Sequence, residues 1–196
     1  MRSAPIVTLV ALTFLAAFAA CGNDVSSTDD AQKAYLGLDT SVDKAIQLGF
    51  EGYNEVGGAP GANITSHGLD GGTSGTLSVT GTVNNSNSPN KGMRLDEVLS
   101  NYSDDGKITY NTDVNAKPAV VINLRGVGTA TGTLDGSLSG SFMMSGGLTG
   151  QVSLALTFAG DILTATDGGV SRKSGTTHIT GTATSPAGTY SVDVTR

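Results

Sequence analysis

The stretch Val120–Ile162, VVINLRGVGTATGTLDGSLSGSFMMSGGLTGQVSLALTFAGDI, decides the fold. Every even-numbered residue in it is apolar or glycine, from Val120, Ile122 and Leu124 through Leu134, Leu138, Phe142 and Met144 to Val152, Leu154, Leu156, Phe158 and Ile162. The odd positions are mostly Ser, Thr, Asn, Asp or Gln. A period of two is the mark of antiparallel strands with one buried and one wet face. The constant phase also restricts the turns. A two-residue hairpin loop reverses the parity of the inward set, and a three-residue loop keeps it. Three loops fit: Asp135-Gly136-Ser137, Ser145-Gly146-Gly147 and Ala159-Gly160-Asp161. Only Gly147 fills the last, left-handed position that such loops favour, and Leu134 to Leu138 also reads as one continuous strand.

Beyond this stretch, Thr164 to Thr176 is polar, with Arg172-Lys173 expected on a solvated loop. His178–Thr184 and Thr189–Thr195 form a last hairpin. Its four-residue loop reverses parity, so Ala183 faces the same way as Tyr190. Before the stretch, Gly75–Val83 alternates, and Met93–Tyr102 is a strand whose Leu95, Val98 and Leu99 require a bulge. Asp104-Asp105-Gly106 makes a turn into Lys107–Asp113, and Asn84–Asn90 is a polar loop. Gly52–Thr73 is glycine-rich and reads as irregular. The triplet Thr-Gly-Thr recurs at residues 80–82, 131–133 and 180–182, as expected of a Thr/Gly-rich sheet.

Ala31, Ala34, Tyr35, Leu38, Val42, Ala45, Ile46, Gly49 and Phe50 recur at helical spacing. The spacing predicts one helix over about 29–48, loosened at Gly37 or Thr40-Ser41. Ser27 is placed to cap it, with Asp29 and Asp30 in its first turn. Its stripe of Tyr35, Leu38, Val42, Ile46 and Phe50 is predicted to pack on the glycine face Gly126–Gly132 and fill it.

The 196 residues suffice for a single domain with a core. Twenty-eight glycines, no Trp and 14% charged residues suit an all-β chain. The net charge of −6 argues against a nucleic-acid partner. Aromatics at 5% are too few for the girdles of a membrane barrel. Neither His67 nor His178 has metal-ligand spacing, there is no G-x-S-x-G elbow or phosphate-binding glycine loop, and the acidic pairs Asp29-Asp30 and Asp104-Asp105 are accounted for as a helix start and a turn. No catalytic, metal or cofactor residues are assigned.

The N-terminus carries the most specific signal. After Arg2, Ile6–Ala20 is an uncharged run of about 15 residues, short of the roughly 20 that span a membrane. It reads as a secretory leader. The run ends in Phe18-Ala19-Ala20-Cys21, and Cys21 is the only cysteine. This resembles the lipobox of bacterial lipoproteins, with Phe18 where leucine is usual. The resemblance implies a signal peptide over 1–20, acylation of Cys21 as the new first residue, and a membrane anchor. Gly22, in place of the aspartate that marks inner-membrane retention, implies the outer membrane.

The organisation expected is a signal peptide (1–20), a lipidated tether (21–28) and one domain (29–196), with its β region over about 73–196. The fold class is all-β, an antiparallel barrel or two-sheet sandwich of about 8–10 strands preceded by one N-terminal helix. The function expected is that of a lipid-anchored envelope lipoprotein, a non-catalytic structural or partner-binding module. The alternative is a lipocalin-like carrier of a small apolar ligand.

Overall fold

The computed structural model describes residues 23–55, 62–84, 90–166 and 169–196. The expected leader, Cys21 and Gly22, and most of the expected loop at 84–90 lie outside the described residues. Two helical segments, α1 (Thr28–Leu36) and α2 (Asp39–Glu55), precede ten strands: β1 (Ala62–Asp70), β2 (Ser74–Asn84), β3 (Lys91–Ser103), β4 (Ile108–Asn111), β5 (Ala119–Arg125), β6 (Thr133–Gly146), β7 (Gly150–Thr164), β8 (Val170–Arg172), β9 (His178–Ser185) and β10 (Gly188–Thr195).

The helical region starts where its cap dictates. Ser27 Oγ accepts the Asp30 N–H at 3.1 Å, and Asp29 and Asp30 sit at the positive end of the helix. The region breaks at Gly37-Leu38, where Leu38 N–H bonds Tyr35 O at 2.8 Å and Ser41 N–H bonds Leu38 O at 2.9 Å. These are tight i→i−3 turns. It then continues to Glu55, one to two turns beyond the end expected near Leu48.

All paired strands are antiparallel, and they make one ten-stranded sheet. β4 and β5 lie end to end between β3 and β6: β5 pairs with Lys91–Asp96 of β3 and β4 with Tyr102. The hydrogen-bonded path runs from β1 to β10, and the helices bridge its two edges. Gln32 Nε2 donates to Asp193 O on β10 at 3.3 Å, and Lys44 Nζ to Asp70 O on β1 at 2.9 Å. The all-β fold with one N-terminal helical region is as expected. Its form is a single curled sheet wrapped on the helices.

The even-numbered face of the organising stretch is the core: Val120, Ile122, Leu124, Leu134, Leu138, Phe142, Met144, Val152, Leu154, Leu156, Phe158 and Ile162 are all buried. The helical stripe meets it, with Tyr35, Leu38 and Val42 fully buried and Phe50 at 7% exposure. The last hairpin has the expected facing, Ala183 pairing with Tyr190 and Gly181 with Val192.

Four local expectations are corrected. Within the glycine-rich span 52–73, Ala62–Asp70 is a strand: it pairs with β2 from Ala62–Val83 to Asp70–Thr76, so the sheet begins well before residue 73. Phe158 to Ile162 is no turn, because β7 runs unbroken to Thr164 and Leu134–Gly160 is one of its pairs with β6. Arg172 is not on a loop but ends β8. Gly126–Gly132 is not a strand face under the helix but the turn between β5 and β6, with Gly126 and Gly128 at φ +64° and +84°.

Close approach is made by sheet glycines such as Gly136, where a Cβ would stand 2.6 Å from the Phe158 ring, and by helix glycines as well. A methyl group at Gly37 would overlap the Tyr110 hydroxyl, and one at Gly52 would overlap Ile64. A Cβ at Gly49 would stand 2.9 Å from Met93 Sδ and 3.1 Å from a Leu95 methyl. At Gly128 nothing lies within 4 Å. On an exposed helix, replacing a mid-helix glycine gains about 0.5–1 kcal/mol. Gly49→Leu is expected to reverse that sign and cost about 1–3 kcal/mol by overpacking. Gly128→Asn, which tolerates a left-handed backbone, should change stability by less than about 0.5 kcal/mol. Urea unfolding of the two variants checks this ordering.

Candidate functional site

Where α2 begins, the sheet contributes a buried cation. β8 pairs with β7 through Ile162–Arg172, which turns Arg172 toward the helix. Asp39 and Asp43, four residues apart, share one helix face. Arg172 Nε and Nη2 clamp the Asp43 carboxylate at 2.6 and 2.8 Å. Nη1 donates to Asp39 Oδ1 at 2.8 Å, and Nη2 also to the Asp39 carbonyl at 2.9 Å. Arg196 Nε reaches Asp39 Oδ2 at 3.1 Å, and the Tyr35 hydroxyl reaches Oδ1 at 2.6 Å. The Arg172 and Asp39 side chains are each only 6% exposed. A cleft of about 420 Å³ opens beside them, bordered by Lys173 and Ser174.

Burial pushes the Asp39 carboxyl up, but the bonds from Arg172, Tyr35 and Arg196 outweigh it and hold the group below the usual carboxylate range. Burial opposes the charge on Arg172 as well, yet the bonds to Asp43 and Asp39 keep it protonated. With its oxygens already engaged, Asp39 is poorly placed as an acid or base. The cluster acts as a latch between α2, β8 and the chain's last residue.

A second bridge ties α2 to the turn after β3. Lys44 Nζ donates to Asp104 Oδ1 at 2.6 Å, and the Gly72 N–H donates to the same oxygen at 2.9 Å. The Tyr102 hydroxyl bonds the other oxygen, Oδ2. Asp104 is thus a bridging residue as well as a turn residue.

Beneath α2 lies a group of the opposite kind. Glu97 is fully buried on the inward face of β3, between Leu95 and Leu99, and neither carboxylate oxygen has a hydrogen-bond partner. Burial raises its pKa from 4.5 to about 8. Strict alternation over 93–99 places it there, and the bulge expected at Leu95–Leu99 lies instead just beyond, at 100–103. Thr76 pairs with Ser100 but Ser74 with Ser103, so β3 holds one extra residue there, with Asn101 at φ +48°. Up to that point the odd residues Met93, Leu95, Glu97 and Leu99 face inward, and beyond it Tyr102 does.

The histidine side chains join neither feature. His67 faces Glu55 at 3.3 Å, and His178 faces Asp193 at 2.8 Å. Cys21 lies outside the described residues. Sequence reading missed Arg172 because an Arg-Lys pair in a polar stretch looks solvated. It missed Glu97 because the alternation of Met93, Leu95 and Leu99 was not followed to the acid that shares their face.

Two stability experiments follow from these groups. Arg172→Met leaves Asp39 buried with much of its compensation gone, and is expected to cost about 3–5 kcal/mol in urea unfolding. For Glu97 the folded pKa lies above the unfolded one, so folding favours the protonated acid. Stability therefore falls as pH rises from about 4.5 to about 8, by up to about 1.4 kcal/mol per pH unit, and is flat in this term above that window. Glu97→Gln should remove this slope and be more stable than wild type at pH 8.5. Parallel slopes for the two proteins between pH 5 and 8 would show that Glu97 does not titrate there.

Comparison with known proteins returns nothing similar: no family model matches the sequence, no curated protein matches it, and no solved structure matches the fold.

Proposed function

We propose that this chain is a lipid-anchored protein of the bacterial cell envelope, a non-catalytic structural or partner-binding module held to a membrane, by the rule for Gly22 the outer one, through acylated Cys21. The observation that carries the reading is the uncharged run Ile6–Ala20 ending at the single cysteine, Cys21. A leader followed by one cysteine has no internal disulfide partner to offer, and lipidation accounts for it. Several acyl chains, each methylene contributing about 0.8 kcal/mol on burial, make such an anchor stable.

The interior favours a module over a carrier. A lipocalin-like protein keeps room for its cargo inside the sheet. Here that space holds Tyr35, Leu38, Val42, Ala45, Ile46 and Phe50 of the helices, all buried against the strands. The latch at Arg172 and the bridge at Lys44 keep α2 seated there.

Mass spectrometry of the protein purified from bacterial membranes should give an N-terminal peptide beginning at acylated Cys21. Cys21→Ser should leave the leader uncleaved and the chain without lipid. A mature chain with a free, unmodified N-terminus would refute the anchor, and an apolar small molecule retained in native spectra would favour the carrier.

A further inference from the structure

We propose that the domain sits directly on the bilayer, with one end of the sheet, the turns β6–β7 and β9–β10, against the lipid headgroups. The proposal rests on the lipid anchor at Cys21 and adds the surface that meets the membrane.

The residues after the anchor are part of the fold and leave no slack for a tether. Asn23 O accepts the Thr149 N–H at 3.1 Å, which fastens it to the β6–β7 turn. Val25 is fully buried, and its carbonyl accepts the Ser185 hydroxyl at 2.6 Å, which fastens it to the β9–β10 turn. Asp24 lies against Gly150 so closely that a Cβ there would stand 2.6 Å from its Oδ1. Ser27 then caps α1. Of the span 21–28 expected to be a tether, residues 23–27 are docked.

One residue, Gly22, stands between Cys21 and Asn23. A chain advances at most about 3.6 Å per residue, so the Cα atoms of Cys21 and Asn23 are within about 7 Å of each other. The headgroup layer on each side of a bilayer is itself about 5–8 Å thick. Acyl chains on Cys21 lie in hydrocarbon, so Asn23 and the turns bonded to it stand at headgroup level. The composition of those turns agrees. Gly147-Leu148-Thr149 and Ser185-Pro186-Ala187-Gly188 carry no charge to desolvate. The charged groups nearby are Asp24, the Asp30–Lys33 pair, Arg196, and Asp105 and Lys107 of the β3–β4 turn, whose Lys107 carbonyl accepts the Gly147 N–H at 2.8 Å. The turn 126–132 lies at the far end of β6, a strand of 14 residues, or about 45 Å at full extension, and points away from the membrane.

The chain has no tryptophan, so a single introduced one reports its own position. The full chain, made with its leader in a bacterial host, would be reconstituted into phosphatidylethanolamine/phosphatidylglycerol vesicles carrying a headgroup-attached nitroxide lipid. Ala187→Trp and, as a second reporter, Pro186→Trp are exposed at the β9–β10 turn, and Ala130→Trp is exposed at the far end. Quenching at 187 and 186 is expected to exceed that at 130 at least threefold. Insertion of ten Gly/Ser residues between Gly22 and Asn23 should erase the difference. Chains that float with the vesicles but show equal quenching at both ends overturn the seating and leave the anchor standing. Chains that do not float overturn the anchor, and the seating with it.

Discussion

One helix has to cover the apolar face of a ten-stranded sheet, and the rest of the structure follows from that constraint. A helix is about 10 Å across with its side chains. Eight strand positions at about 4.8 Å spacing would make a flat sheet over 30 Å wide. The mismatch is removed from both sides. The sheet curls, and at Gly81 and Gly181 the strands come so near their neighbours that a Cβ would collide with the carbonyls of Arg94 and Ala155. The helix thins where it meets the sheet, at Gly37, Gly49 and Gly52. Curling also brings the sheet's edges round to the helices, so that the edge hydrogen-bond groups of Asp70 and Asp193 are met by Lys44 and Gln32. That protects edges that would otherwise invite pairing with another chain.

The same constraint separates what was legible in the sequence from what was not. Alternation over 120–162 and the helical stripe from Ala31 to Phe50 are consequences of which side chains leave water, and each carries its own period, so nearly every residue assigned to the core is there. The hairpin at Ser185–Gly188 was legible because loop length dictates facing, and Ala183 does pair with Tyr190. β1 was not, because His67, Gly68 and Asp70 are polar or small and its place depends on β2 and α2, not on its own pattern. The role of glycine was read in part: Gly132, Gly136 and Gly140 do meet close neighbours, but these are Ile162, Phe158 and Pro118, not the helix. Composition announces close approach, but only the three-dimensional contact shows that Gly49 makes it and Gly128 does not.

Arg172 and Glu97 illustrate why single charged residues resist sequence reading. Each is buried, but with opposite electrostatic outcomes. Arg172 meets two carboxylates and a carbonyl whose geometry suits a planar guanidinium, so the cost of removing it from water is offset at once. Glu97 meets no hydrogen-bond partner, and its burial raises its proton uptake toward neutral pH. Nothing in the tripeptides Ser171-Arg172-Lys173 or Asp96-Glu97-Val98 distinguishes them from surface residues. The difference arises from what each side chain meets once the sheet is formed: two carboxylates of α2 in one case, no hydrogen-bond partner in the other.

The two ends of the sheet are unequal in their turns. At the end where Asn23 and Val25 are fastened, the β6–β7 and β9–β10 turns are short and uncharged, and the chain enters the fold within two residues of Cys21. Toward the opposite end stand the exposed side chains of Lys173 and Arg125 and the long turn 126–132. A fold whose interior is filled by its own helix has only its surface to offer, and an anchor without slack would decide which part of that surface can be reached. On this geometry a partner would meet the far end and its long turn, while the end with the short β6–β7 and β9–β10 turns would be occupied by the membrane.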